Sequence, residues 1–227
     1  MIASTKLLLV AASCLAALLA PDVLAAQTQV VVNNDYVRVL DSNESPHVKG
    51  PRHRHEFNRV MVYLNGGNME ITYDDGHKDD QHWKPGDVAW SLAGGYHVSE
   101  NVGSAPIHLI EIELKKAPPM VELVRNPKLD PLVNDPKHYS LLFENDQVRV
   151  FRSWREPGGV EPLHEHIGRG RLTVFLTDTD SIVRSAVGST STLHANAGDA
   201  RWTDGSVTHT STNAGANRLE VVVVEVK

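Results

Sequence analysis

The chain has 227 residues, with 22 Lys and Arg against 28 Asp and Glu, which gives a formal net charge of −6. Hydrophobic residues make up 41% and charged residues 22%, a composition that excludes a wholly disordered protein. The mild acidity argues against a nucleic-acid partner, which normally requires a basic face. A single Cys excludes an intrachain disulfide scaffold.

Residues 1–25 are typical of a secretory signal peptide. Lys6 precedes an apolar run over residues 7–20 that is too short for a membrane span, and Val23-Leu24-Ala25 offers a cleavage site. Cys14, the sole cysteine, lies inside this segment. We therefore predict an exported protein, periplasmic or secreted, that is not membrane-bound after cleavage.

The remainder of the chain contains an internal duplication. The segment 34–39 (NDYVRV) returns at 145–150 (NDQVRV), 111 residues later, and from residue 59 onward the offset becomes 112. A single one-residue shift over so long a match indicates two copies of one structural unit. We place the first domain at 26–117 and the second at 139–227. The intervening residues 118–138 are rich in Pro and predict an extended linker on the surface.

Each copy is predicted to be β. In chain order, short apolar runs are separated by turn residues, and no long stretch has a helical period. The runs of the first copy are at 30–32, 37–40, 60–64, 69–73, 88–91 and 107–114. Those of the second copy are at 141–143, 148–151, 172–176, 182–186 and 219–226. Many short strands in units of this size predict two barrels of the jelly-roll type, packed about a pseudo-twofold axis.

Histidines recur at matching positions in the two copies. His53 and His55 are two residues apart, so on a strand both side chains point to the same face. His97 follows later in the first copy. The second copy repeats this set as His164, His166 and His209.

These motifs resemble those of the cupin superfamily. Its first motif has Gly followed by His-x-His, as in Gly50 to His55, and its second has Pro-Gly, a strand and His with Asn beyond it, as in Pro85-Gly86 to His97 and Asn101. The second copy matches these motifs at Gly159, His164-Glu165-His166, Gly198-Asp199, His209 and Asn213. The resemblance implies an all-β bicupin of two tandem double-stranded β-helix barrels, with the six histidines as metal ligands.

One position departs from the cupin pattern in both copies. Where the superfamily's common metal site has Glu, this chain has Arg59 and Arg171. Arginine does not lose its proton, so neither residue can be a ligand. Three-His sites would hold a divalent transition metal (Fe, Mn, Ni or Zn), and each Arg would bind the carboxylate of a small anionic substrate. In the alternative interpretation no metal binds, the histidines are buried polar groups, and each Arg pairs with a carboxylate such as Asp87 or Asp199.

The two copies differ in charge. Arg52 and Arg54 flank the histidines of the first copy, whereas Glu161 and Glu165 lie near those of the second, which favours a divalent cation there. We expect a metal-dependent enzyme of oxygenase, decarboxylase or isomerase type acting through Arg59 or Arg171 as catalytic residues. A non-catalytic, metal-free binding or structural protein remains the alternative, and the sequence leaves a homodimer open.

Overall fold

The structure is a computed structural model that describes residues 27–117 and 123–227. The predicted signal peptide and residues 118–122 of the predicted linker lie outside the described residues. Within the described ranges no helix is long and apolar enough to cross a membrane.

The first copy contains nine strands. They are β1 (Gln27–Asn33), β2 (Val37–Glu44), β3 (His53–His55), β4 (Arg59–Tyr63), β5 (Gly67–Tyr73), β6 (Lys78–Trp83), β7 (Val88–Ser91), β8 (Gly94–Asn101) and β9 (Ile107–Leu114).

A short helix and nine further strands follow. They are α1 (Pro131–Asn134), β10 (Tyr139–Glu144), β11 (Val148–Arg155), β12 (His164–His166), β13 (Gly170–Phe175), β14 (Thr179–Ser185), β15 (Thr190–Ala195), β16 (Ala200–Asp204), β17 (Val207–Asn213) and β18 (Leu219–Val226).

The strands of each copy form a five-stranded and a four-stranded antiparallel sheet. The first copy has the orders β1-β2-β9-β4-β7 and β3-β8-β5-β6, and the second has β10-β11-β18-β13-β16 and β12-β17-β14-β15. Each order in the second copy is that of the first with nine added to every strand number. The duplication predicted from sequence is thus matched by duplicated topology, and the all-β jelly-roll prediction is confirmed.

Strands β9 and β18 are buried along almost their whole length. Each lies in the middle of a five-stranded sheet, with one face toward its own barrel and the other toward the opposite barrel. In β18, Val221 and Val223 pack inside the second barrel, whereas Val222 and Val224 contact the first. A strand buried on both faces has no solvent-facing positions, so β18 is apolar except at Glu220 and Glu225, whereas β9 carries two buried carboxylates, Glu111 and Glu113.

The two five-stranded sheets pack against each other in one shared core. Its fully buried side chains come from both copies, including Val60 and Ile112 of the first and Leu172 and Val224 of the second. Separate clusters fill the interiors of the barrels, around Ile107 in the first and Phe151 in the second. The packing of sheet on sheet holds the barrels together and leaves the far side of each barrel for the histidines.

The described part of the predicted linker, residues 123–138, makes specific contacts with the second barrel. Asp130 caps α1, with its side chain accepting a hydrogen bond from the Leu132 N–H. The carbonyl of Leu129 accepts a hydrogen bond from Glu165 on β12, the strand that carries His164 and His166. The segment therefore does more than connect the barrels, because it also contacts a histidine-bearing strand.

Candidate metal centre

The structure brings each predicted histidine triad together. In the second barrel His164 on β12 lies directly opposite His209 on β17, and in the first barrel His53 on β3 lies opposite His97 on β8. Strand alternation then turns the second histidine of each His-x-His pair to the same face. In each triad one ring nitrogen from every histidine lies within 4.8 Å of the other two.

In the second barrel the ring nitrogens are oriented for coordination. His164 Nδ1 lies 2.9 Å from the Pro162 carbonyl, which can only accept, so Nδ1 carries the proton. His166 Nδ1 likewise donates to Glu225 Oε1 at 2.9 Å. Both Nε2 atoms therefore point lone pairs into the barrel, and they are 3.1 Å apart.

His209 completes this arrangement, with its Nε2 2.9 Å from His164 Nε2. A neutral imidazole carries one ring proton, and in both His164 and His166 that proton is on Nδ1. No proton is therefore left to form a hydrogen bond between their Nε2 atoms. A metal ion between them satisfies both, since neutral imidazole nitrogen is a common ligand of transition metals. The donor set of the second barrel therefore fits a divalent transition metal.

Burial keeps the His166 and His209 imidazoles neutral. His164 is 1% exposed and His166 4% exposed. Burial, followed by the charge of Arg171 and the neighbouring His164, holds the pKa of His166 well below its usual range. Burial, with the adjacent histidines, lowers the pKa of His209 to about 2. Ligand nitrogens that are unprotonated at neutral pH do not have to lose a proton before a metal binds.

A carboxylate and a phenol lie beside the second triad. Glu161 Oε2 is 3.9 Å from His164 Nε2, and the Tyr139 hydroxyl, which donates to Glu161, is 3.5 Å from the same nitrogen. Ser211 Oγ donates to Glu161 Oε2 at 2.5 Å, and Arg155 contacts the other oxygen at 3.3 Å. Burial favours the neutral acid, yet His164, Arg155 and these hydrogen bonds together lower the pKa of Glu161 to about 2. Glu161 is therefore an ionised group next to the coordinating atoms.

Arg171 lies inside the second barrel with an unused donor. Its side chain is 9% exposed, and its Nη1 is buried without a hydrogen-bond partner. Burial lowers its pKa, against the opposing charges of Glu225 and Glu161. A guanidinium stays charged even when burial lowers its pKa, so Arg171 offers a buried cationic donor for an anion.

The first triad has a different environment. His53 Nε2 is 3.1 Å from His55 Nε2, and His53 and His97 are held by the carbonyls of Pro51 and Gly95. All three rings are partly exposed. Arg59 contacts the His55 ring, with Nη1 2.6 Å from Nε2. A cation therefore lies against the nitrogen that a metal would need.

Glu111 of β9 and Ser91 of β7 hold Arg59 in this place. Glu111 Oε2 lies 3.2 Å from Arg59 Nη1, and Ser91 accepts a hydrogen bond from Nη2 at 2.9 Å. Burial, followed by the charge of Arg59, lowers the pKa of His55 to about 3. In the second barrel Val223 occupies the position of Glu111, so Arg171 has no corresponding partner.

The carboxylates that the alternative interpretation assigned to the arginines are elsewhere. Asp87 accepts a hydrogen bond from the Lys84 N–H, and Asp199 accepts one from Asn196 and pairs with Arg201. Both stabilise the turn before a strand, where an Asp side chain reaches a nearby backbone N–H. The predicted pairing of the arginines with Asp87 or Asp199 was therefore wrong. The carboxylates that face into the barrels include Glu111 on β9 and Glu225 on β18.

Sequence reasoning missed several groups at these sites. Glu113 and Glu225 were visible as a repeated pair, but nothing in the repeat indicated that Glu225 orients His166. Tyr139 and Glu161 have no counterpart in the first copy, where Thr28 and Gly50 stand, so the repeat carried no signal for them. A cleft of about 500 Å³ also lies between the barrels, lined by Phe57, Trp90 and Gln147 but by none of the six histidines.

Comparison with known proteins agrees with this geometry. No protein-family model and no curated protein matches the chain. Among solved structures, AerE from Microcystis aeruginosa superposes with a TM-score of 0.64 and 15% identity, over 92% of this chain and 94% of that one. Oxalate decarboxylase from Bacillus subtilis gives a TM-score of 0.62 and 13% identity, over 88% of this chain and 71% of that one. The chain has the bicupin fold. At 15% and 13% identity, the similarity of the bicupin to these two proteins shows a shared fold.

Proposed function

We propose that the bicupin is a metal-dependent enzyme whose centre lies in the second barrel, on His164, His166 and His209. The observation that carries the proposal is the pair of opposed Nε2 lone pairs at 3.1 Å, with each Nδ1 proton committed elsewhere. Three imidazoles leave coordination positions open to other ligands. When bound, the metal would supply a Lewis acid or a redox centre.

The substrate class we propose is a small organic anion that carries a carboxylate. Arg171 offers a buried guanidinium with an unpartnered Nη1, which suits a carboxylate oxygen. Glu161 and Tyr139 lie on the His164 side of the triad, where they can hold or accept a proton of the bound molecule. Decarboxylase, oxygenase and isomerase chemistry are all compatible with these parts.

A named neighbour supports the same class without establishing it. The structurally similar protein from Bacillus subtilis is an oxalate decarboxylase with Mn(II) centres. Manganese and oxalate are therefore useful first probes for this chain. Imidazole also binds Fe, Ni and Zn, so the metal identity has to be measured.

Elemental analysis of protein purified without chelator or affinity metal tests the proposal. We expect about one metal per chain, lost when His164 and His166 are changed to Ala and kept when His53 and His55 are changed to Ala. The second variant is the matched control, because it removes the same residue types from the other barrel. No metal in the native chain, and none taken up from Fe, Mn or Ni, would overturn it.

The alternative of metal-free ligand binding is favoured only in the first barrel. There Arg59 contacts His55 and pairs with Glu111, which already gives the site a buried cation. We propose that this barrel has no catalytic metal.

We also propose that the protein is exported. The support is the sequence of residues 1–25, with its Lys6, apolar run and Val23-Leu24-Ala25 site. N-terminal sequencing of the protein recovered outside the cytoplasm should begin at Ala26. Recovery of a chain that begins at Met1 in the cytoplasm would contradict this.

A further inference from the structure

The residues that orient His166 differ from those at the same place in the first barrel. Arg38 and Glu113 lie opposite each other on β2 and β9, and Arg149 and Glu225 occupy the same register on β11 and β18. The same two residue types thus face each other in both barrels. Their pairing nevertheless differs.

In the first barrel the two residues form an ion pair. Arg38 donates to both carboxylate oxygens of Glu113, through Nε and through Nη2, the latter at 2.9 Å. Glu113 is thereby committed to Arg38, and the His55 ring donates no hydrogen bond to it. The nearest carboxylate oxygen to His55 Nδ1 is that of Glu111, at 3.5 Å.

In the second barrel the segment 123–138 separates the pair. Asp130 accepts hydrogen bonds from Arg149 Nη2 on both oxygens, at 3.0 and 2.9 Å, and Glu144 Oε2 lies 3.5 Å from Arg149 Nε, so Arg149 turns away from Glu225. Glu225 is then available to His166 Nδ1 at 2.9 Å, while Arg125 of the same segment binds its other oxygen at 2.8 Å. Both Glu225 and Arg149 are at most 5% exposed, so solvent does not compete for these contacts.

We propose that Asp130 is a positioning residue for the metal centre of the second barrel. By holding Arg149, it leaves Glu225 free to fix His166 with the proton on Nδ1 and the lone pair on Nε2. The carboxylate that orients a ligating histidine commonly changes metal affinity 10–100-fold when it is lost. This inference rests on the proposed function for its metal readout and makes a separate prediction for the metal-free protein.

The variant Asp130→Asn tests it with little risk to the fold. Asn is as good an N-cap as Asp, so the bond to the Leu132 N–H is kept while the charge that holds Arg149 is removed. We expect Mn²⁺ affinity, measured from the EPR signal of the free ion, to fall about 10–100-fold. Asp146→Asn is the matched control, because Asp146 is an exposed carboxylate three residues from Arg149, and it should bind like the native chain.

A double variant separates positioning from general damage. In Asp130→Asn with Arg149→Gln the arginine that would capture Glu225 is gone, and Arg125 stays on the other carboxylate oxygen as in the native chain, so affinity should return to within about threefold of native. A purely structural defect would instead deepen with the second substitution. Failure of the double variant to recover affinity, or an unchanged affinity in Asp130→Asn, would overturn the inference.

The metal-free readout is the tautomer of His166. Nitrogen-15 NMR of the metal-free protein should show the proton on Nδ1 in the native chain and a shift toward Nε2 in Asp130→Asn. The same tautomer in both proteins overturns the inference even if metal binds. If the tautomer differs between the two proteins as expected but the native chain takes up no metal, the positioning role is supported and only the proposed function is overturned.

Discussion

Glu161 in the second barrel occupies the position of Gly50 in the first. The backbone N–H of each donates to the carbonyl of an equivalent serine, Glu161 to Ser211 at 2.7 Å and Gly50 to Ser99 at 2.8 Å. A Cβ on Gly50 would approach Ser99 Oγ to 3.2 Å, whereas in the second barrel Ser211 Oγ is a hydrogen-bond donor to Glu161. The same backbone thus places a carboxylate beside one triad and none beside the other.

Removing the charge of Glu161 should weaken metal binding in the second barrel. Glu161→Gln keeps the shape of the side chain but removes an anion 3.9 Å from His164 Nε2. We expect Mn²⁺ affinity to fall about 10–100-fold, as for other groups next to metal ligands. Glu156→Gln is the control, because Glu156 is exposed and its ion pair with Arg218 is long, at 3.9 Å. Equal affinity in both variants would show that the Glu161 charge does not reach the metal.

Arg171 should determine the affinity of the second barrel for an anionic ligand. In Arg171→Gln the buried donor that we assign to the carboxylate is lost, so oxalate binding to Mn²⁺-loaded protein should weaken at least about tenfold, as expected for a charge-assisted bond. Calorimetry measures this, with metal content checked in each sample. Arg169→Gln is the control, since Arg169 lies over the Tyr36 ring. Unchanged oxalate binding in Arg171→Gln would contradict the assignment.

Arg59 should be what keeps metal out of the first barrel. With His164 and His166 changed to Ala, only the first triad remains to be measured, and Arg59→Gln then removes the cation in contact with His55. Because a fixed cation repels a divalent ion, we expect Mn²⁺ affinity to rise at least about tenfold. Arg54→Gln, which removes an exposed cation over Tyr96, is the control. An equal gain in both would indicate a general charge effect.

The fold and the triads could be predicted because they depend on repeated local patterns. Alternation puts His53 and His55 on one face of a strand, and the duplication fixes the same geometry for His164 and His166. The difference between Arg59 and Arg171 could not be predicted in this way. It depends on Glu111 and Val223, which reach the arginines only through strand pairing across the sheet.

The role of residues 123–138 was even less accessible from sequence. Pro-rich composition predicts an extended connection but does not indicate which side chains point back into a barrel. Asp130 reaches Arg149 across 19 residues, and Arg125 reaches Glu225 across 100. Neither contact follows a strand or helix period, so no periodic pattern reports it.

The shared core should make the two barrels depend on each other for stability. Ile112 is fully buried among side chains of both five-stranded sheets. Ile112→Ala should lower the free energy of unfolding by roughly 2–5 kcal/mol, through lost burial and the cavity left behind. Val187→Ala, at a side chain that is 93% exposed, should change it by less than about 0.5 kcal/mol. Denaturant titration of both variants measures the difference, and similar values would argue against packing through these faces.

The metal-free protein should lose stability as the pH falls below about 6.5. Burial, with the adjacent His164 and His166, lowers the pKa of His209 from an ordinary value of 6.5 to about 2. Between these values the unfolded chain binds a proton that the folded protein does not, so acid favours unfolding, by up to about 1.4 kcal/mol per pH unit for one such group. Above pH 6.5 neither state binds this proton and the effect disappears.

Thermal unfolding from pH 7.5 to 4.5 should therefore depend less steeply on pH in His209→Asn. His47→Asn is the control, because His47 is exposed and has a positive φ that Asn tolerates. Parallel pH profiles for the native chain and His209→Asn would show that His209 does not contribute to the acid sensitivity.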